Sequence, residues 1–302
     1  MSRGIVIYLE DLKEDVLKYT QSNLAYTTHK LYVTAFKNLI AFLGNKPIKL
    51  ITSKNIDDYK SYRAESIAKS TVNIELTCIK AIFNLALRWN LLNVSPAQYV
   101  QKFRIEQKEI LCFNDVELKY LLSKLPVGDI KNIVLFGLYT GCRLNEILNI
   151  QIKDINLGEK IIYIRNKPGF RTKSGKLRQS PISDHLYSLL ESILKLHRNV
   201  YRLVEPERYL FTNPKGLKYE RDYVSKRFKK YLRAFKMPEK FHFHCLRHTY
   251  ITNLIKAGVN INYVRLLAGH SELSTTMNYI HIVTDDLREA VNKVRQFTDC
   301  SY

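Results

Sequence analysis

The sequence predicts a mainly α-helical protein with one small antiparallel β-sheet. It divides into a helical N-terminal domain (residues 1–105) and a larger α-rich C-terminal domain (residues 106–302). Three observations carry that expectation. Apolar residues recur at helical spacing in most long windows. A polar stretch without periodicity, Val100 to Leu111, interrupts them and reads as a linker between two domains of ordinary size. Two short strand-like runs flank a single basic turn, which suffices for one hairpin and little more.

In the first domain, Tyr26 to Leu43 carries Tyr32, Ala35, Phe36, Leu39, Ile40 and Leu43 on one stripe, closed by Gly44. Ile51 to Glu65 reads as a shorter helix with Thr52 or Ser53 as N-cap. Ser70 to Trp89 repeats the pattern at Val72, Leu76, Ile79, Phe83 and Ala86, and Pro96 stops it. In the second domain, which starts near Lys108, Asn114 and Glu117 have capping-box spacing. Ile130 to Tyr139 is an apolar helix broken by Thr140-Gly141, and a new helix opens around Arg143. Lys160 to Arg165 and Leu177 to Ser183 are the strand-like flanks of the turn. Asp184 to His197 is amphipathic, Tyr223 to Phe235 is a basic helix, and Phe243 to Ala257 is a helix ended by Gly258. Ser274 is expected to cap a short helix bearing Tyr279.

Composition narrows the function. Hydrophobic residues make up 46% of the 302, so a substantial core can be buried, yet no apolar run approaches the roughly 18 residues of a membrane span. No basic start followed by an apolar stretch suggests a signal peptide. The five cysteines are scattered and form no CxxC, which points away from a disulfide framework or a zinc ribbon and towards a reducing, cytoplasmic setting. The net charge of +20 favours an anionic partner. Its distribution sharpens this: six basic and no acidic residues lie from Arg165 to Arg178, and ten basic against three acidic residues lie from Lys215 to Lys240. Residues before Lys108 carry 15 basic and 9 acidic side chains and the rest 33 and 19, so both domains can face a phosphate backbone.

The chemistry-bearing residues are clustered. His244 and Arg247 share a helix face at i, i+3, with His248 at i+4 on nearly the same face. Thr140-Gly141-Cys142-Arg143-Leu144-Asn145-Glu146 lies upstream. Leu267-Ala268-Gly269-His270 lies downstream, with Tyr279 nine residues after His270. Five of the eight histidines fall between His242 and His281, and His242, His244 and His248 could imitate a metal-ligand set. A hydrolytic zinc would leave the arginines unexplained, so neither a metal nor another cofactor is expected.

These boxes resemble those of the tyrosine recombinase (phage integrase) family. That family carries T-G-x-R-x-x-E, here Thr140 to Glu146; H-x-L-R-H, here His244 to His248; and L-x-G-H followed by T-T-x-x-Y-x-H, here Leu267 to His270 and Thr275 to His281. Its lysine sits on a β-hairpin in a context like Thr172-Lys173-Ser174-Gly175-Lys176. Phe243 departs from the family, where proline often precedes the histidine. The looser N-terminal match is to the family's core-binding (SAM-like) domain, and the C-terminal one to its catalytic domain.

The resemblance implies Arg143, Lys173, His244, Arg247, His270 and Tyr279 as the catalytic set, with Glu146 in support. Physical chemistry gives each a task. Planar guanidinium forks on Arg143 and Arg247 would grip the non-bridging phosphate oxygens and stabilise developing charge. Tyr279 would attack phosphorus and form a phosphotyrosine bond. A phenol of pKa about 10 is ionised only roughly once in a thousand at neutral pH, so a base is needed, for which His244 is the expectation. Lys173 would protonate the departing 5′-oxygen. His270 would hydrogen-bond the phosphate or close the pocket, and Glu146 would orient its box. Arg171, Lys176, Arg178, Lys226 and Lys229 are expected to contact DNA.

The implied activity is site-specific recombination of double-stranded DNA, that is, integration, excision or dimer resolution. It would run through a 3′-phosphotyrosine intermediate without metal. Two other classes share parts of the signal: a type IB topoisomerase and a catalytically silent DNA-binding regulator. The expected working form is a C-shaped clamp on the duplex and a homotetramer on two DNA sites, with a paralogous recombinase as a further partner the resemblance admits. The apolar stripe Leu287, Ala290, Val291 and Val294 is expected to dock in a neighbouring protomer.

Overall fold

The computed structural model describes residues 6–106, 109–172, 175, 177–200 and 205–280. Lys173, Lys176, His281 and the stripe from Leu287 to Val294 lie outside the described residues. The chain forms two compact units, residues 1–108 and 109–302.

The first unit is helical: α1 (Leu9–Asn23), α2 (Tyr26–Leu43), α3 (Ser53–Ser66) and α4 (Lys69–Arg88). Leu9, Leu12, Val16 and Thr20 form the buried stripe of α1, which packs with α2 and α4 around Phe36, Leu39, Leu76, Ile79 and Phe83. Thr52 caps α3 by accepting from the Asn55 backbone N–H, and Gly44 ends α2 with φ +70°. One charge is buried among these helices. Glu75 accepts hydrogen bonds from Tyr59 Oη (2.7 Å), Asn38 Nδ2 (2.8 Å) and both arms of Arg63 (2.9 and 2.7 Å). Burial alone would raise its carboxyl pKa, but the Arg63 fork reverses that and holds it below the usual value.

The second unit contains α5 (Asp115–Lys124), α6 (Asp129–Thr140), α7 (Leu144–Ile147), β1 (Ile155–Asn156), β2 (Ile161–Ile164), β3 (Arg178–Pro181) and α8 (Asp184–Val200). It continues with α9 (Arg221–Ala234), α10 (His244–Lys256), α11 (Ile261–Ala268) and α12 (Leu273–Met277). The apolar helix α6 is the centre. It buries Ile133, Val134 and Phe136 and packs against α8, α9 and α10. The sheet is antiparallel in the order β1-β2-β3, with Ile161 opposite Pro181 and Ile164 opposite Arg178. Ile162 and Ile164 face the core, and Ile161 and Tyr163 are half-buried on the other side of β2. Phe113 N donates to Thr249 Oγ1 (2.8 Å), which ties the start of this unit to α10. Among the described residues no helix is long and apolar enough to cross a membrane.

Several elements differ from the sequence expectation. The short helix α12 starts at Leu273 after Glu272, so Ser274 lies within it rather than capping it, and Tyr279 follows the helix in a turn. The helix α1 was not foreseen, because the acidic run Glu10, Asp11, Glu14, Asp15 hides its apolar stripe.

Candidate active site

The first box is built on the end of α6. Gly141 is left-handed (φ +61°) and its N–H caps back to the Gly137 carbonyl. A Cβ there would lie 2.2 Å from the Tyr250 ring, so both conformation and space demand glycine. Two residues on, Arg143 is the N-cap of α7. Its backbone N–H donates to Glu146 Oε2 (2.9 Å) and its Nη1 to Glu146 Oε1 (3.1 Å). Glu146 is 3% exposed and takes two more bonds from Arg178, 2.9 and 2.7 Å. Burial would raise the Glu146 carboxyl pKa, but the Arg178 fork outweighs it and holds the pKa near 2.

Arg178 is therefore not the DNA contact expected from its place in a basic run. Its guanidinium is buried against Glu146 and Cys142 Sγ (3.6 Å). It also fills the space beside Gly269, where a Cβ would sit 2.8 Å from Nε. One side chain on β3 thus joins the Arg143 box to the Gly269-His270 box.

The helix α10 supplies the second box. Phe243, the departure from the family pattern, anchors its start by packing edge-on against Phe228 of α9 at 5.4 Å. Arg247 is 3% exposed, and its Nη1 donates to the Gly141 carbonyl at 2.7 Å. Its buried Nη2 has no hydrogen-bond partner among the described residues. Burial, and then the charge of Arg143, lower its pKa to about 10. Around Arg247 stand three guanidinium groups, counting its own, and one carboxylate, Glu146. A buried charged donor without an acceptor is costly unless something anionic enters.

The third box places Tyr279. Gly269 ends α11 in the left-handed conformation (φ +67°), and His270 turns inward, its Nδ1 paired with Thr276 Oγ1 at 2.9 Å. The Tyr279 ring packs among Ile251, Val264 and Ala268 and is only 4% exposed. Burial raises its pKa to about 12. Its hydroxyl meets His248 Nδ1 at 2.6 Å. His244, the expected base, is not that partner. It stands edge-on to His248 with ring centres 4.7 Å apart and lines the cavity. In the sequence His248 is only a neighbour on the same helix face; its i+4 spacing from His244 is the signal that it too lines the site. Burial lowers the pKa of both His248 and His270 to about 4, and it lowers that of His244 as well, so the rings are neutral at pH 7.

Arg143, His244, Arg247, His248, His270 and Tyr279 line one cavity of about 570 Å³, which Arg221 and Ser225 of α9 also edge. Among the described residues no three His, Cys, Asp or Glu side chains are gathered as a metal-binding group.

Of the other expected site residues, Arg171 is exposed beside Gly175, and Lys226 is exposed on α9. Lys229 is instead a tie within the unit. It donates to the Glu239 and Phe241 carbonyls (the latter 2.9 Å) and pairs with Glu239, which fastens α9 to the approach to α10. Lys167, in the same basic run as Lys173, is committed to buried Asp154 and to the Asn149 carbonyl (2.6 Å) at the base of the hairpin. Asn166 accepts from Thr172 N (2.9 Å) and donates to the Gly175 carbonyl (2.7 Å), two residues that stand on either side of Lys173 in the sequence.

The chain is similar to known proteins along most of its length. The tyrosine recombinase XerA of Saccharolobus solfataricus is 29% identical over 278 residues, covering 86% of this chain and 84% of that protein. The tyrosine recombinase XerD of Vibrio cholerae is 23% identical over 282 residues, covering 90% and 91%. Among solved structures, the Tn1549 transposon integrase in complex with transposon right end DNA superposes with a TM-score of 0.79 at 18% identity, covering 95% of this chain and 99% of that one. A lambda integrase tetramer bound to a Holliday junction gives 0.75 at 15% identity, covering 91% and 78%. Residues 9–91 match the N-terminal SAM-like domain of phage integrases. Residues 112–285, well over half of the chain and including every residue of the cavity from Arg143 to Tyr279, match the phage integrase family, and the chain belongs to that family.

Proposed function

We propose that this chain is a site-specific DNA recombinase that cleaves and rejoins double-stranded DNA through a 3′-phosphotyrosine bond on Tyr279. The observation that carries the reading is the buried Nη2 of Arg247, a charged donor with no acceptor among the described residues, in the cavity that holds the Tyr279 phenol. A phosphodiester supplies that acceptor. Arg143 and Arg247 hold the non-bridging oxygens, and their charge is worth most where water is excluded and the donors are fixed in advance. Glu146 keeps Arg143 aimed. His244 and His270, neutral at pH 7, hydrogen-bond the phosphate. Tyr279 attacks phosphorus, the bond to the 5′-oxygen breaks, and Lys173 protonates that oxygen. The ester conserves the energy of the diester, so a 5′-hydroxyl from another strand can reverse the step and exchange strands.

Both units contribute to binding a specific site, with Arg171, Lys176 and Lys226 on the phosphate backbone. Four protomers, all of this chain or some of a paralogue, work on two sites, through docking of the segment that holds Leu287 to Val294. The setting is the cytoplasm, on DNA. Incubation with supercoiled plasmids tests the reading. A plasmid carrying two copies of a site selected from a random pool should yield exchanged products, and a plasmid without sites should stay supercoiled. Relaxation of any plasmid without strand exchange contradicts it and points to a topoisomerase.

A further inference from the structure

We infer that His248 is the base that takes the Tyr279 proton during cleavage and returns it during rejoining, a role that rests on the recombinase reading above. The geometry is direct. Tyr279 Oη and His248 Nδ1 are 2.6 Å apart, at the short end of hydrogen bonding, with ring centres 5.5 Å apart. No other hydrogen bond of that hydroxyl is found among the described residues. The nearer alternatives are engaged or turned away. His270 Nδ1 is paired with Thr276 Oγ1, and its ring lies nearly parallel to that of Tyr279 at 6.2 Å. His244 meets His248 edge-on and opens to the cavity.

The surroundings suit a base. The titratable and charged groups around His248 are His242 before α10, His244 and Arg247 on it, and Tyr279 and His270 from the third box. Burial first, then His242 and Arg247, keep the imidazole unprotonated at neutral pH. Its Nδ1 then carries a lone pair, the phenol donates to it, and Nε2 carries the ring hydrogen. Tyr279 needs such a partner. With its pKa pushed up to about 12 by burial, only roughly one phenol in a hundred thousand would be ionised at pH 7 without help. The two shifts also give an order of events. While the cavity is empty, the arginine field opposes protonation of His248. A phosphodiester on Arg143 and Arg247 offsets that field and raises the proton affinity of His248, so the base strengthens when substrate is bound.

The step balances. Tyr279 Oη forms its bond to phosphorus as its proton passes to His248 Nδ1, giving an imidazolium. The P–O5′ bond breaks, and the 5′-oxygen takes a proton from the acid assigned above, Lys173. In rejoining, a 5′-hydroxyl gives its proton to the neutral lysine and attacks phosphorus. The phenolate leaves and recovers its proton from the imidazolium, restoring every group.

The test is single-turnover adduct formation on a nicked duplex whose sequence is recovered from a randomised pool by capture on the wild-type chain. Two variants are compared: His248→Ala, and His248→Asn, which keeps an acceptor near the Nδ1 position but cannot be protonated. Both should bind the duplex as the wild type does and lose about 10²–10⁴-fold in rate. The wild-type rate should level off once His248 is fully deprotonated, whereas the variants should keep rising about tenfold per pH unit towards the tyrosine pKa. Added imidazole should restore part of the rate to His248→Ala. A His248→Asn rate within about threefold of wild type, with the same pH profile, would leave His248 a packing residue and overturn the inference. If His248→Ala fails to fold, the Asn variant and the wild-type profile decide alone, and a wild-type profile without a plateau overturns it. A wild-type chain that forms no adduct on Tyr279 is a different result: it removes the recombinase reading itself.

Discussion

Arg247 states the design of the site in one side chain. It is buried, its Nη1 is satisfied by Gly141, its Nη2 by nothing among the described residues, and its pKa is depressed to about 10. That arrangement costs stability in the empty protein and is recovered when an anion enters. Charge alone is not what the position supplies. A lysine would keep the charge and lose the planar fork that reaches Gly141 and the phosphate together. Arg247→Lys is accordingly expected to lower the rate of adduct formation by about 10²–10³-fold while the fold survives, checked by single-turnover kinetics beside a thermal melt. The identity of Arg247, as of Arg143, His270 and Tyr279, was legible in the sequence because their spacing within boxes is local. The roles of Arg178 and His248 were not. An arginine in a basic run looks like a DNA contact until β3 turns it inward onto Glu146, and the partner of a phenol 31 residues away is a tertiary fact.

At the level of elements, the site is the junction of pieces that have few other reasons to meet. α7 carries Glu146, β3 brings Arg178, and the turn after α11 leaves room for Arg178 at Gly269. Glu146→Gln would keep the shape and remove the one carboxylate facing three guanidinium groups. The expected cost is on the order of 3–5 kcal/mol of stability, read from denaturant unfolding, together with a slower cleavage step from a loosened Arg143. Most long helices were readable to within about three residues, α1 excepted: α2 spans Tyr26–Leu43 as its stripe required, and Asn114 caps α5 through Glu117. Short elements were not. β1 has two residues and α11 eight, too few for periodicity to speak, and Tyr279 stands just beyond a five-residue helix instead of on it.

Across the whole molecule, the two units should respond differently to acid. His248 and His270 have folded pKa values of about 4 against an ordinary 6.5, so the unfolded chain binds their protons more readily. Their contribution is full above about pH 6.5 and is lost as pH falls through 4. Glu146, held near 2 against 4.5, adds a second loss between about pH 4.5 and 2. In the first unit the buried carboxylate Glu75 is likewise depressed by Arg63, so its loss also begins only as pH falls to the ordinary carboxylate range. Hydrogen exchange followed from pH 7 to pH 5 should therefore show residues 109–280 opening before residues 6–106, and equal loss in both would contradict the assignment of neutral histidines.

The central claim, a covalent bond from Tyr279 to a DNA 3′-phosphate, has a direct measurement: mass spectrometry of the wild-type chain trapped on a nicked duplex that loses its 5′-hydroxyl fragment on cleavage. The account predicts a DNA-linked peptide with the nucleotide on Tyr279 and none from Tyr279→Phe. Attachment to any other residue, or no adduct on a duplex the chain demonstrably binds, would contradict it.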